Sequence, residues 1–510
     1  MTGRPSATLH PILPALCLGA VVVFAVTLLA RSAVHLPFWY DESLTVRLSR
    51  LGSMGELWRA VTAGFEFTPP LIYLATKFTR LLPGPETLTA RIPGLTGFAL
   101  LEVFLFIFLR RRLGSWFALA SVAVLPLADY TLRYAIEARA YMLLLGVSAI
   151  ALVCWQSAAS GRSRLAPVGL ALSVATALLL HVWAILLPFA LVVGEAVELV
   201  RSRRIRWRVI GALLAATPAL AIHPILLRAA HTVVFGGAAY EPTLDKLYTA
   251  WRSDVPRPRV IAAMLVAVAL AAWWSRRRAG EPGERPSGLD AAELAAIVAL
   301  LMSPLVPFVY AELNAGAFMT RYALFALPAT VSLIGAVLFA VGGGRVLAGQ
   351  GAAVVAIVGV WLYLPPKIPS AGSQSAALES LTASSGPLDA SVPLVLVNPV
   401  DVLAFDDQAS EADRARTVFV ADSAMALKYT GTNGIDLGYE RGEPYLNVRV
   451  PRLSYDDLTR HRTRLYLLGK WQALSWLPQR LKDDGWTLEE IGGTRPAPIF
   501  EARKGGDTQP

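Results

Sequence analysis

Two adjacent carboxylates, Asp41 and Glu42, follow Trp39 and Tyr40 just after the first apolar block of the chain. Acids paired at the end of such a block are placed to act as a general base, as metal ligands, or as both. The structural alternative is the start of a loop or a helix N-cap, where Asp is favoured. The pair is therefore a candidate catalytic centre.

A second ionisable group lies at 133–141, where one apolar block ends and the next begins. Ionisable residues at a membrane edge, such as Glu137 and Arg139, usually face a bundle interior or a water-filled cavity. Snorkelling of Arg and Tyr to the interface is the alternative. Farther along, Arg321 and Tyr322 open another apolar block. An Arg there suits bidentate phosphate binding or contact with lipid headgroups.

Single basic groups supply two further candidates. His181 separates two short apolar blocks, where a lone His serves packing more often than catalysis. Lys77 lies near Arg80 and Arg91 and could bind one lipid phosphate or anionic headgroups in general. The sequence shows no Cys/His cluster with zinc spacing and no Ser-His-Asp arrangement.

The composition places these residues in a membrane protein. The 510-residue chain is 55% hydrophobic and 16% charged, whereas soluble domains are about 25% charged. Its mean hydropathy is +0.50. Apolar blocks near 11–33, 91–109, 115–132, 139–157, 166–180, 182–200, 208–227, 259–275, 290–311, 321–341 and 346–364 predict about eleven transmembrane helices. The first block is too long for a signal-peptide core and is interpreted as a retained helix.

The basic residues predict how the chain is oriented. The net charge is +10, and the Arg clusters at 110–112, 162–164, 201–208 and 276–285 lie between apolar blocks on alternate loops. The positive-inside rule then places the N-terminus in the cytoplasm and the C-terminus outside, and no nucleic acid is expected as a partner. Both cysteines, Cys17 and Cys154, lie in apolar segments, so no disulfide framework is expected.

Three regions follow. Residues 1–365 form the transmembrane part, with an outer loop at 34–90 whose amphipathic pieces at 42–51 and 69–82 are expected at the interface. A second outer loop, 228–258, contains a short helical pattern at 242–251. Residues 366–389 are predicted to be a linker and 390–510 a small extracytoplasmic α/β domain. Its predicted strands are 394–397, 417–420, 465–468, 486–491 and 499–502, with an amphipathic helix at 471–482.

The order of these motifs resembles a known family. An acidic pair after the first helix is followed by a Thr-Pro-Pro-Leu-Ile-Tyr segment at 68–73, an Arg-Ile-Pro at 91–93, a Glu-Ala-Arg-Ala-Tyr at 137–141, a His after the fifth span and a late Arg-Tyr at 321–322. Over residues 10–365 the chain resembles the membrane glycosyltransferases of the GT-C fold, which include protein O-mannosyltransferases and the aminoarabinose transferases of lipid A. The fold class implied is an all-α polytopic membrane bundle, GT-C-like, with a C-terminal soluble α/β domain.

The resemblance implies a sugar donor linked to polyprenyl phosphate and transfer outside the cytoplasm. The Ala/Arg-rich composition favours a bacterial source, so the expected location is a bacterial inner membrane. The resemblance also implies catalytic roles for Asp41, Glu42 and Glu137. It implies donor-phosphate contacts for Arg321, Arg139, Lys77 and Tyr322. It implies an acceptor or donor pocket that includes Tyr40, Tyr73, His181 and Tyr141. Thr68 stands where the family usually has His or Lys, which puts a phosphate contact there in doubt.

As a mechanism, Asp41 would deprotonate an acceptor hydroxyl while Arg321 holds the phosphate, and a single displacement would invert the anomeric carbon. The acceptor could be a lipid, a glycan or a protein, and a divalent cation at the acids stays open. Two other functions are compatible with many spans: a lipid or solute transporter or flippase, and a non-catalytic envelope assembly protein. A transporter would be expected to show inverted repeats and charges near the midplane.

Overall fold

The computed structural model describes residues 12–237, 240–277, 287–314, 316–368, 388–495 and 497–505. The described residues up to 368 form helices joined by turns and short loops. The helices are α1 Ile12–His35, α2 Tyr40–Ser49, α3 Met54–Thr62, α4 Leu71–Thr79, α5 Glu86–Thr89, α6 Ile92–Leu113, α7 Ser115–Val122, α8 Asp129–Ala135, α9 Tyr141–Ala159, α10 Ala166–Leu180, α11 Leu186–Ser202, α12 Trp207–Ala216, α13 Ile222–Ala229, α14 Leu244–Asp254, α15 Pro258–Arg277, α16 Ala291–Met302, α17 Leu305–Asn314, α18 Ala326–Gly342 and α19 Val346–Tyr363. Short 3₁₀ turns lie at Leu125–Leu127, Val182–Ile185, Thr217–Ala221, Thr320–Ala323 and Pro365–Lys367.

The predicted polytopic helical architecture is confirmed. In the described chain, seven helical stretches are long and apolar enough to cross a membrane. Two more apolar stretches are bent, by 69° between Ser115–Leu127 and α8 and by 41° between α16 and α17. The helices α10 and α18 are apolar but shorter. Together these elements account for each of the apolar blocks seen in the sequence.

The outer loop at 34–90 folds into four short helices. The nine residues of α4 extend only about 14 Å at 1.5 Å per residue, too short for a bilayer core of about 30 Å. The segment 69–82 therefore does not span, as expected. The interfacial placement of 42–51 is wrong, because α2 is buried from Glu42 to Ser49. It packs between the helical bundle and the C-terminal region.

Close packing of α6 against α9 fixes the chain between α8 and α9. An added Cβ at Gly94 would lie 2.9 Å from the Glu137 carbonyl oxygen, and one at Gly97 would lie 2.3 Å from the Met142 carbonyl oxygen. Small residues let two helices approach this closely. The glycines of α6 thus seat the segment 136–140, which carries Glu137 and Arg139, against the bundle.

The C-terminal region is an α/β unit with one six-stranded sheet. Its strands are β1 Leu394–Leu396, β2 Thr417–Val420, β3 Arg452–Leu453, β4 Arg464–Leu468, β5 Trp486–Thr494 and β6 Ala497–Lys504, in the order β3-β2-β1-β4-β6-β5. The first four strands of that order are parallel, and β6 and β5 continue the sheet antiparallel. Its helices are α20 Asp401–Gln408, α21 Glu411–Arg416, α22 Ser423–Thr430, α23 Gly434–Leu446, α24 Tyr455–Thr459 and α25 Leu477–Asp483.

All five predicted strands are present, and the two faces of the sheet enter different cores. Leu394 and Leu396 join the core that is continuous with the membrane half. Val395 and Val397 join a second, separate core. Successive strand residues point to opposite faces, so a sheet covered on both sides has continuous apolar strands.

Two details of the C-terminal region differ from the sequence prediction. The helix expected at 471–482 begins only at Leu477, with Pro478 in its first turn, where proline is tolerated. The helices α20 to α24 were not anticipated. Of the expected linker 366–389, residues 369–387 lie outside the described residues.

A buried ion network joins this region to α2. Arg47 pairs with Asp406 at 2.7 Å and Asp407 at 2.5 Å, and it donates to the carbonyl oxygens of Leu446 and Asn447 at 2.7 and 2.9 Å. The Tyr40 ring also meets Tyr439, with ring centroids 6.1 Å apart. The C-terminal unit therefore packs directly on the helix that carries the acidic pair.

Candidate active site

The two adjacent acids point in different directions. They lie in the first turn of α2, where successive side chains are about 100° apart around the axis. The Asp41 carboxylate accepts a hydrogen bond from Arg321 Nη1 at 2.9 Å, and its side chain keeps 14% of its surface exposed. Asp41 therefore contacts a residue 280 positions away in the chain. The contact is partly exposed to solvent.

Glu42 is instead fully engaged in the scaffold. Both of its oxygens accept from Arg91, at 2.7 and 2.8 Å, and one also accepts from the Ala138 amide at 2.8 Å. Arg91 directs its remaining donors to the carbonyl oxygens of Ala33, Leu36 and Pro37 at 2.6–3.0 Å. A buried carboxylate with both oxygens occupied has little capacity left for a substrate. This geometry suits a positioning role for Glu42 rather than the catalytic role predicted from the sequence.

Glu137, unlike Glu42, has hydrogen-bonding capacity left over. It lies outside the spanning helices, between α8 and α9, and only its Oε1 is paired, accepting from Arg133 Nε at 3.1 Å. Its Oε2 is buried with no hydrogen-bond partner among the described residues. Burial and the charge of Glu42, only partly offset by Arg133, raise the pKa of Glu137 to about 7. This carboxyl can therefore change its charge near neutral pH.

Arg139 holds the outer loop against the same face. It pairs with Glu66 at 3.4 Å and donates to the hydroxyls of Thr45 and Thr68 at 3.2 and 3.3 Å. The other oxygen of Glu66 accepts from the amides of Phe67 and Thr68, both at 3.0 Å. Glu66 was missed as a site residue. Its position just before Thr-Pro-Pro was the one available signal.

Arg321 lies in the turn Thr320–Ala323, outside the helices that could span. The chain leading to it is held by a hydrogen bond from the Phe318 amide to the Tyr240 carbonyl oxygen at 3.0 Å. Its guanidinium carbon is 5.9 Å from the centre of the Tyr141 ring. The Nε atom of Arg321 is buried without a partner in the described chain, so this cation retains a donor.

Aromatic residues and His181 surround this cation. The rings of Tyr141 and His181 are 5.3 Å apart, and those of Trp183 and Tyr322 are 5.6 Å apart. His181 Nδ1 accepts from the Trp183 amide at 3.1 Å. Burial, together with the charges of Arg139 and Arg321, lowers the pKa of His181 to about 3. His181 is therefore a neutral group of the site.

Two predicted site residues, Lys77 and Tyr73, lie away from the Asp41–Arg321 pair. Lys77 donates to the Leu51 carbonyl oxygen at 2.6 Å, in a separate cavity beneath α2 and α4. Tyr73 is fully buried beside Glu66, and burial, followed by the charge of Glu66, raises its pKa. Tyr40 contacts the C-terminal unit. Within the described ranges, no three His, Cys, Asp or Glu side chains converge as a metal-ligand set.

Two large cavities lie near the site, and neither is lined by Asp41 or Arg321 themselves. The mouth cavity, about 550 Å³, lies between the start of α2, α8 and α20, and its lining includes Trp39, Arg133, Glu137 and Asp401. The apolar cavity, about 510 Å³, is formed by α14, α15, α16 and α18. Trp251 lines the apolar cavity and also packs in the cluster that contains Tyr322, so this cavity adjoins the turn that carries Arg321.

No protein-family model and no curated protein matches the sequence. Two crystal structures of ArnT from Cupriavidus metallidurans are similar to the chain in structure. The apo form has a TM-score of 0.45 and 13% identity, covering 96% of this chain and 97% of its own. The form bound to undecaprenyl phosphate has a TM-score of 0.42 and 14% identity, covering 97% of this chain and 99% of its own. At these values, function has to be argued from the residues of the site.

Proposed function

We propose that the protein is a membrane glycosyltransferase that moves a sugar from a polyprenyl-phosphate donor to an acceptor hydroxyl, with inversion, on the extracytoplasmic face. The observation that carries the proposal is the Asp41–Arg321 pair. An acid and a cation meet at 2.9 Å, and the Nε atom of that cation is buried without a hydrogen-bond partner among the described residues. Displacement of a phosphate leaving group requires a base for the attacking hydroxyl and a group that binds the departing anion, and this pair supplies both.

The surroundings of Arg321 favour a polyprenyl-phosphate sugar as the substrate that supplies the sugar. The planar guanidinium of Arg321 can bind a phosphate through two parallel hydrogen bonds, and Nε is free to contribute one of them. The adjoining apolar cavity is lined almost wholly by hydrocarbon and aromatic side chains, such as Leu265, Leu301 and Leu333. We place the isoprenoid chain of the donor in that lining, with its phosphate at the adjoining turn that carries Arg321.

In the reaction, the acceptor oxygen forms a bond to the anomeric carbon as the bond from that carbon to the phosphate oxygen breaks. The electron pair of the broken bond leaves with the polyprenyl phosphate, whose charge Arg321 stabilises. The acceptor proton passes to the Asp41 carboxylate. Phosphate binding draws Arg321 away from Asp41 and frees the carboxylate to act as the base. Arg139 adds positive potential, and neutral His181, Tyr141 and Tyr322 line the donor side.

The proposed orientation places the N-terminus in the cytoplasm of a bacterial cell and the C-terminal unit outside its inner membrane. Support comes from the ends of α6. Arg91 precedes its first residue on the side of the acids, and Arg110, Arg111 and Arg112 end it on the opposite side. Retention of Arg-rich loops in the cytoplasm then puts Asp41 and Arg321 outside. A lipid-linked donor suits that face, because the free energy that drives sugar transfer is already carried by its phosphate ester.

The test uses purified full-length protein in nanodiscs with a panel of polyprenyl-phosphate sugars and crude envelope acceptors. Release of polyprenyl phosphate is measured for wild type, Asp41→Asn and Arg321→Gln. Loss of the base should lower the rate about 10²–10⁴-fold, and loss of the phosphate ligand about 10²–10³-fold. The exposed residues Asp245 and Arg257 give matched controls, Asp245→Asn and Arg257→Gln, that should keep the wild-type rate.

Other outcomes would point elsewhere. Wild-type rates in both site variants would refute these assignments. Movement of an intact lipid-linked sugar across the bilayer, with no bond cleavage, would support a transporter or flippase. If the cellular function depended on the C-terminal unit and did not change when Asp41 or Arg321 was replaced, an assembly protein would be supported.

A further inference from the structure

The mouth cavity has a wall that belongs to the C-terminal unit. Val400, Asp401 and Ala404, at the start of α20, face it together with residues of α8 and the chain before α2. The Lys367–Asp129 ion pair lies at the same cavity. Its volume of about 550 Å³ is within the usual range for small-molecule sites, about 300–1,000 Å³. The C-terminal unit therefore completes one wall of the cavity where it packs on the helical half.

Buried polar atoms around this cavity lack partners in the described chain. Glu137 Oε2 is an unpaired acceptor and Trp39 Nε1 an unpaired donor, and both residues line the cavity. Native proteins leave few buried polar atoms unpaired, so each such atom calls for a ligand or water. Arg133, whose guanidinium lies 5.7 Å from the centre of the Trp39 ring, adds exposed donors. Asp401 is held by a hydrogen bond from Asn398 at 3.1 Å to one carboxylate oxygen.

We propose that the mouth cavity is the acceptor site, that it binds a saccharide ring, and that the C-terminal unit contributes Asp401 as a specificity residue. That the bound saccharide is the acceptor depends on the function proposed above. That the cavity binds a saccharide depends only on the residues that line it. The acceptor hydroxyl would approach Asp41 from this side, past Tyr40 and Glu137. The donor lipid would occupy the separate apolar cavity.

The chemistry of the lining favours a saccharide over a peptide or a lipid tail. A sugar ring presents several hydroxyls, each of which both donates and accepts, and carboxylates and guanidinium groups satisfy them in pairs. The aromatic walls formed by Phe38, Trp39 and Tyr40 suit the apolar ring faces. A peptide is often bound along an exposed sheet edge, but the edge strands β3 and β5 are not part of the described lining. A free glycan and a glycolipid headgroup share the chemistry that this cavity recognises.

The test measures saccharide binding by full-length protein in nanodiscs without any donor. The probes are mannose, arabinose and the β-linked dimers of glucose, galactose and N-acetylglucosamine. Their binding is measured by saturation-transfer NMR and titration calorimetry. A Ser/Thr-rich decapeptide forms a second arm, and a glycolipid with a disaccharide headgroup forms a third. Asp401→Asn removes the carboxylate charge, and Ala404→Trp fills the cavity without removing a charge. Asp456→Asn, at an exposed acid of the same unit, is the control.

At least one saccharide or the glycolipid should bind, and Asp401→Asn should weaken binding about ten- to a hundredfold, the loss expected for a hydrogen bond to a charged group. Ala404→Trp should weaken it similarly and Asp456→Asn should not. Binding of the free dimers identifies a glycan acceptor, and binding of the glycolipid alone identifies its headgroup.

Wild-type affinity in both cavity variants would overturn the site, as would binding of the peptide alone or of none of the probes. These results are separable from the donor test. Turnover that depends on Asp41 and Arg321, without saccharide binding, would leave the glycosyltransferase standing and remove this acceptor site. Saccharide binding that depends on Asp401, without any turnover, would do the reverse.

Discussion

Replacement of Glu137 by Gln should stabilise the protein at alkaline pH and leave its stability nearly unchanged at acidic pH. Burial and the nearby charge of Glu42 raise the pKa of Glu137 from 4.5 to about 7. Its protonated form is therefore favoured in the fold. The energetic cost of ionising Glu137 is absent below pH 4.5, grows as the pH rises toward 7, and then levels off. At 1.36 kcal/mol per pKa unit, its full size is about 3 kcal/mol.

The assay is thermal unfolding in nanodiscs at pH 5 and pH 8, followed by intrinsic fluorescence. From pH 5 to pH 8, the Tm of the wild type should fall more than the Tm of Glu137→Gln, because the neutral amide carries no ionisation cost. Asp456→Asn, which removes an exposed acid, should follow the wild type. If the Tm difference between Glu137→Gln and wild type is the same at both pH values, the burial argument is wrong.

Two other ion pairs give predictions that separate scaffold from site. Arg91→Leu leaves the Glu42 carboxylate buried without its partner and should destabilise the protein by about 3–5 kcal/mol, measured as a loss of Tm. The double variant Glu42→Leu/Arg91→Leu should recover part of that loss, and no recovery would contradict a purely structural pair. Arg47→Met should loosen α2 from the C-terminal unit, seen as faster hydrogen exchange across α2 and a lower kcat with unchanged donor affinity. Unchanged exchange in α2 would show that the buried network at Asp406 does not position the helix.

The membrane helices could be predicted because their signal is local. An apolar block needs no partner to be recognised, and even the bent stretch at α7 and α8 appears in the sequence as one block. The burial of α2 could not be predicted in this way. Its polar residues look amphipathic alone, and the Arg47 side chain is accommodated only because Asp406, 359 residues later, meets it. The helices of the C-terminal unit were missed for a related reason, since several are short and depend on packing against the sheet.

Most residues that meet at the candidate site were named from the sequence, but their pairing could not be read from it. Asp41 and Glu42 are equivalent in sequence, and only the rotation of α2 separates them, sending one to Arg321 and the other to Arg91. The Arg-Ile-Pro at 91–93 marked Arg91 as part of a motif, but nothing in the sequence showed that it pairs with Glu42. Glu66 was overlooked because a single acid near a Pro-Pro pair has no pattern of its own. Its pairing with Arg139 depends on how α6 seats the segment 136–140.

The four acid–arginine pairs at the mouth form a series of increasing unused hydrogen-bonding capacity. Glu42 is saturated by Arg91, whereas Glu66 is shared between Arg139 and two amides. Within the described chain, Glu137 has one buried oxygen without a partner, and the arginine of the Asp41 pair has one buried donor without a partner. A saturated pair can only hold the fold, because a ligand would have to break an existing bond to reach it. A pair with a free buried atom gains when a ligand arrives, since that atom already lacks water. Chemistry should therefore depend most on the Asp41 and Glu137 pairs, and folding most on the pair made by Glu42.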